Sequence, residues 1–493
     1  MPAADWLRRG ASASLEPQAF RAGLLLLMEG QPQEAVRLAR EAQAQAPWFY
    51  EALRLEAEAW LVQARFAQEA AVAGPALEAA GRALAEAELR APCDGDLLAL
   101  DLRRWQEAVA QGWQTGADPE IPVLAQVAVA DRWARLEPTA AGPLAWRARA
   151  RGEMARYLAF RDKDPGAWLS RARTDAEEAL RRDPGEVEAS AARASVLRTE
   201  GFRQMSRGAD PSPRLQEAMA AADQGLRLDP AHIVLMNIRN SALLAWIDHV
   251  RLRGTYQRAA VLPYLQQART EAKAHPDDAY FQANLGSVAL AVARAEVDSG
   301  GDPSADAGEA IVAYEAALKT QPRHVGFHRG ILMARAAQAR AMTRDGRDPE
   351  AVLAQARTEF QRAREAQLPL ATLAPYFMDA LLSAATRAQA QGRTGRGYLD
   401  EAGQFLPHLV STAEDPVELG TIRLHYTVLM LRSGSTGLRA SGEAVVRSLV
   451  RLRPVNPSFW MTLAEFRDAC GEADAAAQAR ARGRALNPKG RFF

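Results

Sequence analysis

An Asp-Pro dipeptide returns along this chain on a fixed interval. Asp118-Pro119, Asp164-Pro165 and Asp210-Pro211 stand 46 residues apart, as do Asp302-Pro303 and Asp348-Pro349, and the gap from Asp210 to Asp302 is 92. A second marker keeps step. Pro92, Pro138, Pro184, Pro230, Pro276 and Pro322 follow one another every 46 residues, and Pro369 and Pro416 each come 47 further on. Toward the ends the interval shortens, to 45 between Pro47 and Pro92, 38 between Pro416 and Pro454, and 34 between Pro454 and Pro488. A period of this size means stacked repeats, in which one supersecondary unit buries its apolar face only against its neighbours.

The two markers divide each unit into two helices. In the unit ending at Pro322, "YFQANLGSVALAVARAEV" (Tyr280 to Val297) is followed by "DSGGDPS" and then by "ADAGEAIVAYEAALKTQP". Ala310, Ala313, Tyr314, Ala317 and Leu318 recur at i, i+3, i+4, i+7 and i+8, one buried stripe of a helix. Asp is a strong N-cap, because its carboxylate accepts hydrogen bonds from the free amides of the first turn. Pro suits the first helical position, where no amide donor is needed. Each Asp-Pro is therefore a start signal for a second helix. Asp183-Pro184, Asp229-Pro230 and Asp415-Pro416 are expected to do the same between units. The pattern predicts an all-α solenoid of about eleven hairpins over 17–488. Regular long repeats span about 48–416, with an N-terminal arm over 1–16 and a tail over 489–493.

The balance of 61 basic against 60 acidic side chains, a formal net charge of +1, gives no electrostatic case for nucleic acid or an anionic membrane. Cys93 and Cys470, the only cysteines, have no metal spacing and read as reduced thiols. The apolar run from Leu24 to Met28 is too short for a signal peptide and ends in Glu29; no stretch approaches the 18 or so apolar residues of a membrane span. The expected location is the cytoplasm. No serine, cysteine or carboxylate constellation points to catalysis, and no cofactor or metal is expected.

In the last unit, Trp460, Leu463, Ala464, Gly471, Ala476, Gly483 and Pro488 fall at the key positions of a 34-residue repeat, and the first unit matches with Gly23, Gly30, Ala35, Ala42 and Pro47. Both ends thus resemble the tetratricopeptide-repeat family. The middle units match at Leu285-Gly286, Ala310, Tyr314, Ala317 and Pro322, with about 12 additional residues between the helices. At 1.5 Å per residue, an equal split would lengthen each helix by about 9 Å. Units ending at Pro138, Pro276 and Pro416 match less well. The long units with a G-x-Asp-Pro connection are similar to the repeat tails of bacterial serine/threonine protein kinases, although the Gly-rich loop, His-Arg-Asp and Asp-Phe-Gly of the kinase itself are not found here. The resemblance implies a right-handed solenoid with a concave groove. It also implies a non-catalytic scaffold or adaptor for protein or peptide partners, or alternatively the regulatory half of a bacterial kinase system acting in trans.

Asparagine is unfavourable inside helices, yet Asn237, Asn240 and Asn284 lie within first helices. In peptide-binding members of the family such residues face the groove and bond the ligand backbone. The resemblance therefore makes Asn237, Asn240 and Asn284 partner-binding candidates, with Arg239, Tyr280 and Arg329 alongside. Asn240 sits nearer the buried glycine position, where a bond to a neighbouring helix competes with that role. His324 and His328 have the i, i+4 spacing of a helical metal pair but no evident third ligand; groove or surface histidines are the simpler reading. "GRTGRG" (Gly392 to Gly397) and "RGTYQRA" (Arg253 to Ala259) stand where Asp-Pro is missing and read as loops. The chain ends five residues after Pro488, so Phe492 and Phe493 on an uncapped final unit predict docking or self-association there.

Overall fold

The computed structural model describes residues 17–66, 70–115, 118–161, 163–409, 416–452 and 456–488. It divides into two compact units, Met1–Ala242 and Leu243–Phe493. Among the described residues there are 22 α-helices in eleven antiparallel hairpins and no β-strand.

The first unit holds α1 (Gln18–Met28), α2 (Pro32–Gln45), α3 (Tyr50–Phe66), α4 (Ala70–Arg90), α5 (Gly95–Thr115), α6 (Glu120–Leu136), α7 (Gly142–Phe160), α8 (Gly166–Arg182), α9 (Val187–Ser206) and α10 (Ser212–Leu228). The division falls inside α11 (Ile233–Leu252). The second unit continues with α12 (Arg258–Ala274), α13 (Ala279–Ser299), α14 (Ser304–Thr320), α15 (Val325–Arg344), α16 (Glu350–Glu365), α17 (Leu370–Ala390) and α18 (Arg396–Gly403). It ends with α19 (Pro416–Arg432), α20 (Arg439–Val450), α21 (Pro457–Ala469) and α22 (Ala473–Leu486). Odd numbers are first helices, even numbers second helices.

Within the units many consecutive helices pack on each other, α9 on α10 and α13 on α14 among them, as do first helices of neighbouring hairpins such as α7 and α9 or α13 and α15. Alanine makes this close approach possible. On α14, Ala310, Ala313, Tyr314 and Ala317 are buried as the stripe requires, while Leu318 is half-buried. The extra length of the long repeats is not split equally. First helices grow to 20 residues in α9 and 21 in α13, against 13 in α21. Second helices reach only 17 in α10 and α14, against 14 in α22. The remainder lies in the connections.

The Asp-Pro markers act as caps. Asp118, Asp164, Asp210, Asp302 and Asp348 accept hydrogen bonds from the amides of Glu120, Gly166, Ser212, Ser304 and Glu350 at 2.9–3.2 Å. Asp183 and Asp229 do something else. They bond the amides of Gly185 and Ala231 at 2.8 and 3.1 Å, within the turn, and the next helix is begun by Glu186 in one case and His232 in the other. Asp415 lies outside the described residues.

A third marker shares the interval. Gly208, Gly254, Gly300, Gly346 and Gly392 all have positive φ, between 65° and 80°. They end first helices in Schellman turns, where the next residue's amide reaches back to a carbonyl five residues earlier, as Gly301 does to Glu296 at 2.7 Å and Arg347 to Met342 at 2.7 Å. The turn persists at Gly254 and Gly392, where Asp-Pro is absent.

The second unit also makes contacts that a plain array does not. The Arg294 guanidinium on α13 meets Glu418 of α19 at 2.9 Å across 124 residues, and the Asn487 amide donates to the Arg251 carbonyl at 3.3 Å across 236. Asn487 is buried against the Gly254 turn. The described C-terminal end is therefore seated within its own unit; Phe492 and Phe493, like the 1–16 arm, lie outside the described residues.

Candidate functional site

Where α11, α13 and α15 lie side by side in the second unit, their first-helix faces enclose a cavity of about 440 Å³. Its apolar wall comes from Leu244, Ile247, Leu290, Phe327 and Met333; its polar groups are Asp248, Arg251, Ser287, Arg294, His324 and Arg329. Tyr314 reaches in from α14 because the wall has glycine where the ring passes. A Cβ on Gly286 would lie 3.0 Å from the Tyr314 ring, and one on Gly330 would overlap it. The phenol sits 3.0 Å from the Ser287 hydroxyl, and burial pushes its pKa up.

Charge at the base of the cavity is compensated within the chain. Arg251 is held between Asp248 and Asp298, and Arg294 by Glu418. Burial opposes the Arg251 charge, but the two carboxylates outweigh it and hold the guanidinium more firmly protonated than usual. The same contest holds Asp248 below its ordinary value: burial raises it, and Arg251 and Arg294 win. On the rim, burial and the nearby Arg329 push His324 down, so the imidazole is neutral at neutral pH. The cavity thus offers a largely apolar surface with donors at its edge, suited to an amphipathic side-chain cluster rather than to an isolated ion.

The candidate residues are not gathered in one place. Arg329 lines the cavity. Asn237 is exposed on α11 and, by the 46-residue register, stands one repeat before Ala283, which lines the cavity. Arg239 is buried, with its guanidinium 3.7 Å from Asp223. Asn240 and Asn284 are half-buried and their amide nitrogens are enclosed without a hydrogen-bond partner; Tyr280 is half-buried with its ring edge-on to Phe281. The cavity wall itself was not foreseen, since Leu244, Ile247 and Leu290 carry no signal that separates them from ordinary core.

The histidine pair also resolves. His328 is buried rather than in a groove or at the surface: its Nδ1 meets Glu359 at 2.5 Å and its Nε2 meets the Pro322 carbonyl at 3.0 Å. His324 precedes α15 and stacks on Phe327 at 3.9 Å. Among the described residues no group of three or more His, Cys, Asp or Glu side chains is placed to hold a metal ion. Likewise no helix there is long and apolar enough to cross a membrane. In the "GRTGRG" loop Arg396 is tied to Asp400 at 2.9 Å and Ser435 at 3.0 Å, and Thr394 takes the place of the capping Asp at 3.4 Å from the Arg396 amide.

No protein-family model matches this sequence, and no curated protein matches it. Among solved structures, yeast Tom70 superposes with a TM-score of 0.40 at 11% identity, covering 95% of this chain and 91% of that one. The human IFIT1 dimer with m7Gppp-AAAA gives 0.36 at 12% identity, covering 98% and 92%. The APC/C hetero-tetramer Cut9-Hcn1 gives 0.31 at 12% identity, covering 98% and 89%. At these scores no function passes from those proteins to this one.

Proposed function

We propose that this chain is a non-catalytic scaffold or adaptor that binds a protein partner through the first-helix face of its second unit. The observation that carries the reading is the 440 Å³ cavity between α11, α13 and α15, with apolar walls and Arg329 at its edge. A preformed surface of this kind takes the apolar face of a partner helix or extended segment, with the guanidinium placed for a carboxylate or backbone carbonyl. Binding rather than catalysis is supported by the pairing of Asp248, Arg251 and Arg294 with each other's neighbours inside the chain. Asn237 is proposed as a separate contact in the first unit; Tyr280, Asn284, Arg239 and Asn240 would act by holding helices in place. The free thiols of Cys93 and Cys470 support a reducing, cytoplasmic setting. The G-x-Asp-Pro connections favour, as a second reading, a bacterial signalling role beside a kinase on a separate chain.

The test is affinity capture from lysate of the source organism with tagged wild type, Ala283→Trp to fill the cavity, and Arg329→Glu to invert its edge. Ala283→Trp and Arg329→Glu are each expected to lose the partner while keeping the wild-type helical signal and melting behaviour. A partner retained by both moves the binding face elsewhere.

A further inference from the structure

The first unit holds a second pocket that the scaffold reading does not use. It lies between α8, α9 and the start of α10, with a volume of about 460 Å³. Four arginines line it, Arg173, Arg203, Arg207 and Arg214, together with a single carboxylate, Glu200. Repeat surfaces normally intersperse charges of both signs, so this convergence of one sign in a concavity needs a reason.

The guanidinium groups share too few carboxylates. Glu200 is contacted by Arg173 and, at 3.4 Å, by Arg214. Asp164, the cap of α8, is contacted by Arg203 at 2.5 Å and lies 3.8 Å from Arg207. Arg214 has a further carboxylate in Glu217 at 2.6 Å, on its own helix and half in solvent. Two donors stay unused: the Nε atoms of Arg173 and Arg203 are enclosed and have no hydrogen-bond partner. An enclosed guanidinium N–H without an acceptor is costly, and an anion with several oxygens satisfies such donors while neutralising the surplus charge.

We propose that this pocket binds a phosphate dianion, free or carried as a monoester, with Arg173 and Arg214 as the principal donors, Arg203 and Arg207 completing the cradle, and Glu200 bridging Arg173 and Arg214. Tetrahedral oxygens suit forked guanidinium donors, which bind phosphate bidentately where lysine acts as a point charge. The pocket is much larger than one phosphate, and Leu169 and Ser170 leave room for the group that carries it.

The proposal predicts opposite effects from two variants of the full chain. Calorimetric titration uses inorganic phosphate, a phosphoserine peptide and its unphosphorylated counterpart as probes. Wild type is expected to bind the phosphorylated probes, more weakly as salt is raised, and to ignore the unphosphorylated peptide. Arg173→Ala with Arg214→Ala is expected to weaken binding at least tenfold. Glu200→Gln keeps the side-chain shape, removes the competing charge and is expected to tighten it several-fold; a gain in affinity is not produced by misfolding. Equal affinity for phosphate and phosphopeptide assigns the site to the free ion, and tighter peptide binding assigns it to a modified protein. No binding of either phosphorylated probe, or binding unchanged in both variants, overturns the proposal.

Discussion

His328 shows how one side chain is fixed by groups that the local sequence does not reveal. Both of its ring nitrogens face acceptors, the Glu359 carboxylate and the Pro322 carbonyl, so the doubly protonated imidazolium suits the site best. Burial pushes the group down, but the bonds to Glu359 and Pro322 outweigh it and the pKa rises above 6.5; Arg362, 3.1 Å from the other Glu359 oxygen, opposes the rise. The stabilisation is therefore complete below the ordinary histidine value and is lost as pH climbs through the raised one. We expect His328→Leu to cost about 3 kcal/mol at pH 6, the lower end for breaking a buried pair because Glu359 keeps Arg362. The gap from wild type, read from denaturant midpoints, should narrow at pH 9; a constant gap would mean packing alone. The sequence reads His328 as a groove or surface histidine because its true partner stands 31 residues away on another helix. His425 runs the other way. Burial, with Arg432 and Arg340 near, pushes it down to about 4. Its neutral form costs stability as pH falls below the ordinary value, so His425→Gln should flatten the acid side of the stability curve between about pH 6.5 and 4.

At the scale of the element, the hairpins were readable because their ends carry explicit chemistry. Asp302 accepts from both the amide and the hydroxyl of Ser304, which hold its carboxyl below the usual range. Asp302→Ala should therefore lower stability by about 1 kcal/mol near neutral pH. That penalty should fade as pH drops through the depressed carboxyl value, since a protonated cap is already lost in wild type. Urea melts of both proteins at pH 7 and pH 2.5 decide it. Other ends were less legible. Asp183 and Asp229 share the dipeptide yet close a turn, because the residue that reaches the next helix lies three positions further on. The glycine of G-x-Asp-Pro is visible as a motif, but its recurrence at Gly254 and Gly392 without Asp-Pro is not, because its demand is on φ alone. Gly346, at φ 73°, isolates that demand, since a Cβ there would meet only the Arg387 guanidinium at an ordinary contact distance of 3.8 Å. Gly346→Ala should cost about 1 kcal/mol from the left-handed backbone, with no packing term.

Across the second unit, the informative contacts are those that skip repeats. A chain in which each hairpin touches only its neighbours unfolds by independent steps from its ends. Here Glu418 is tied to Arg294, and Asn487 to the turn at Arg251 and Gly254. Burial lowers Arg294 less than Glu418 raises it, so the pair is charged in the folded unit. Nothing in the sequence marks these residues, since Glu418 and Asn487 look like ordinary positions near helix ends and their partners are 124 and 236 residues away. Gly254 ties the two scales together. At φ 65° it needs glycine for the same reason as Gly346, and a Cβ there would also collide with the Asn487 side chain. Gly254→Ala should thus cost more than Gly346→Ala and should release the C-terminal hairpin, seen as faster amide exchange over α21 and α22. Glu418→Ala should speed exchange over the same helices if the contacts act together, and Glu418→Ala combined with Asn487→Ala should then add less than the sum of the single effects. Additive effects, with exchange at α21 and α22 untouched by Glu418→Ala, would instead mean two separate fastenings, and the second unit would open like any other linear array.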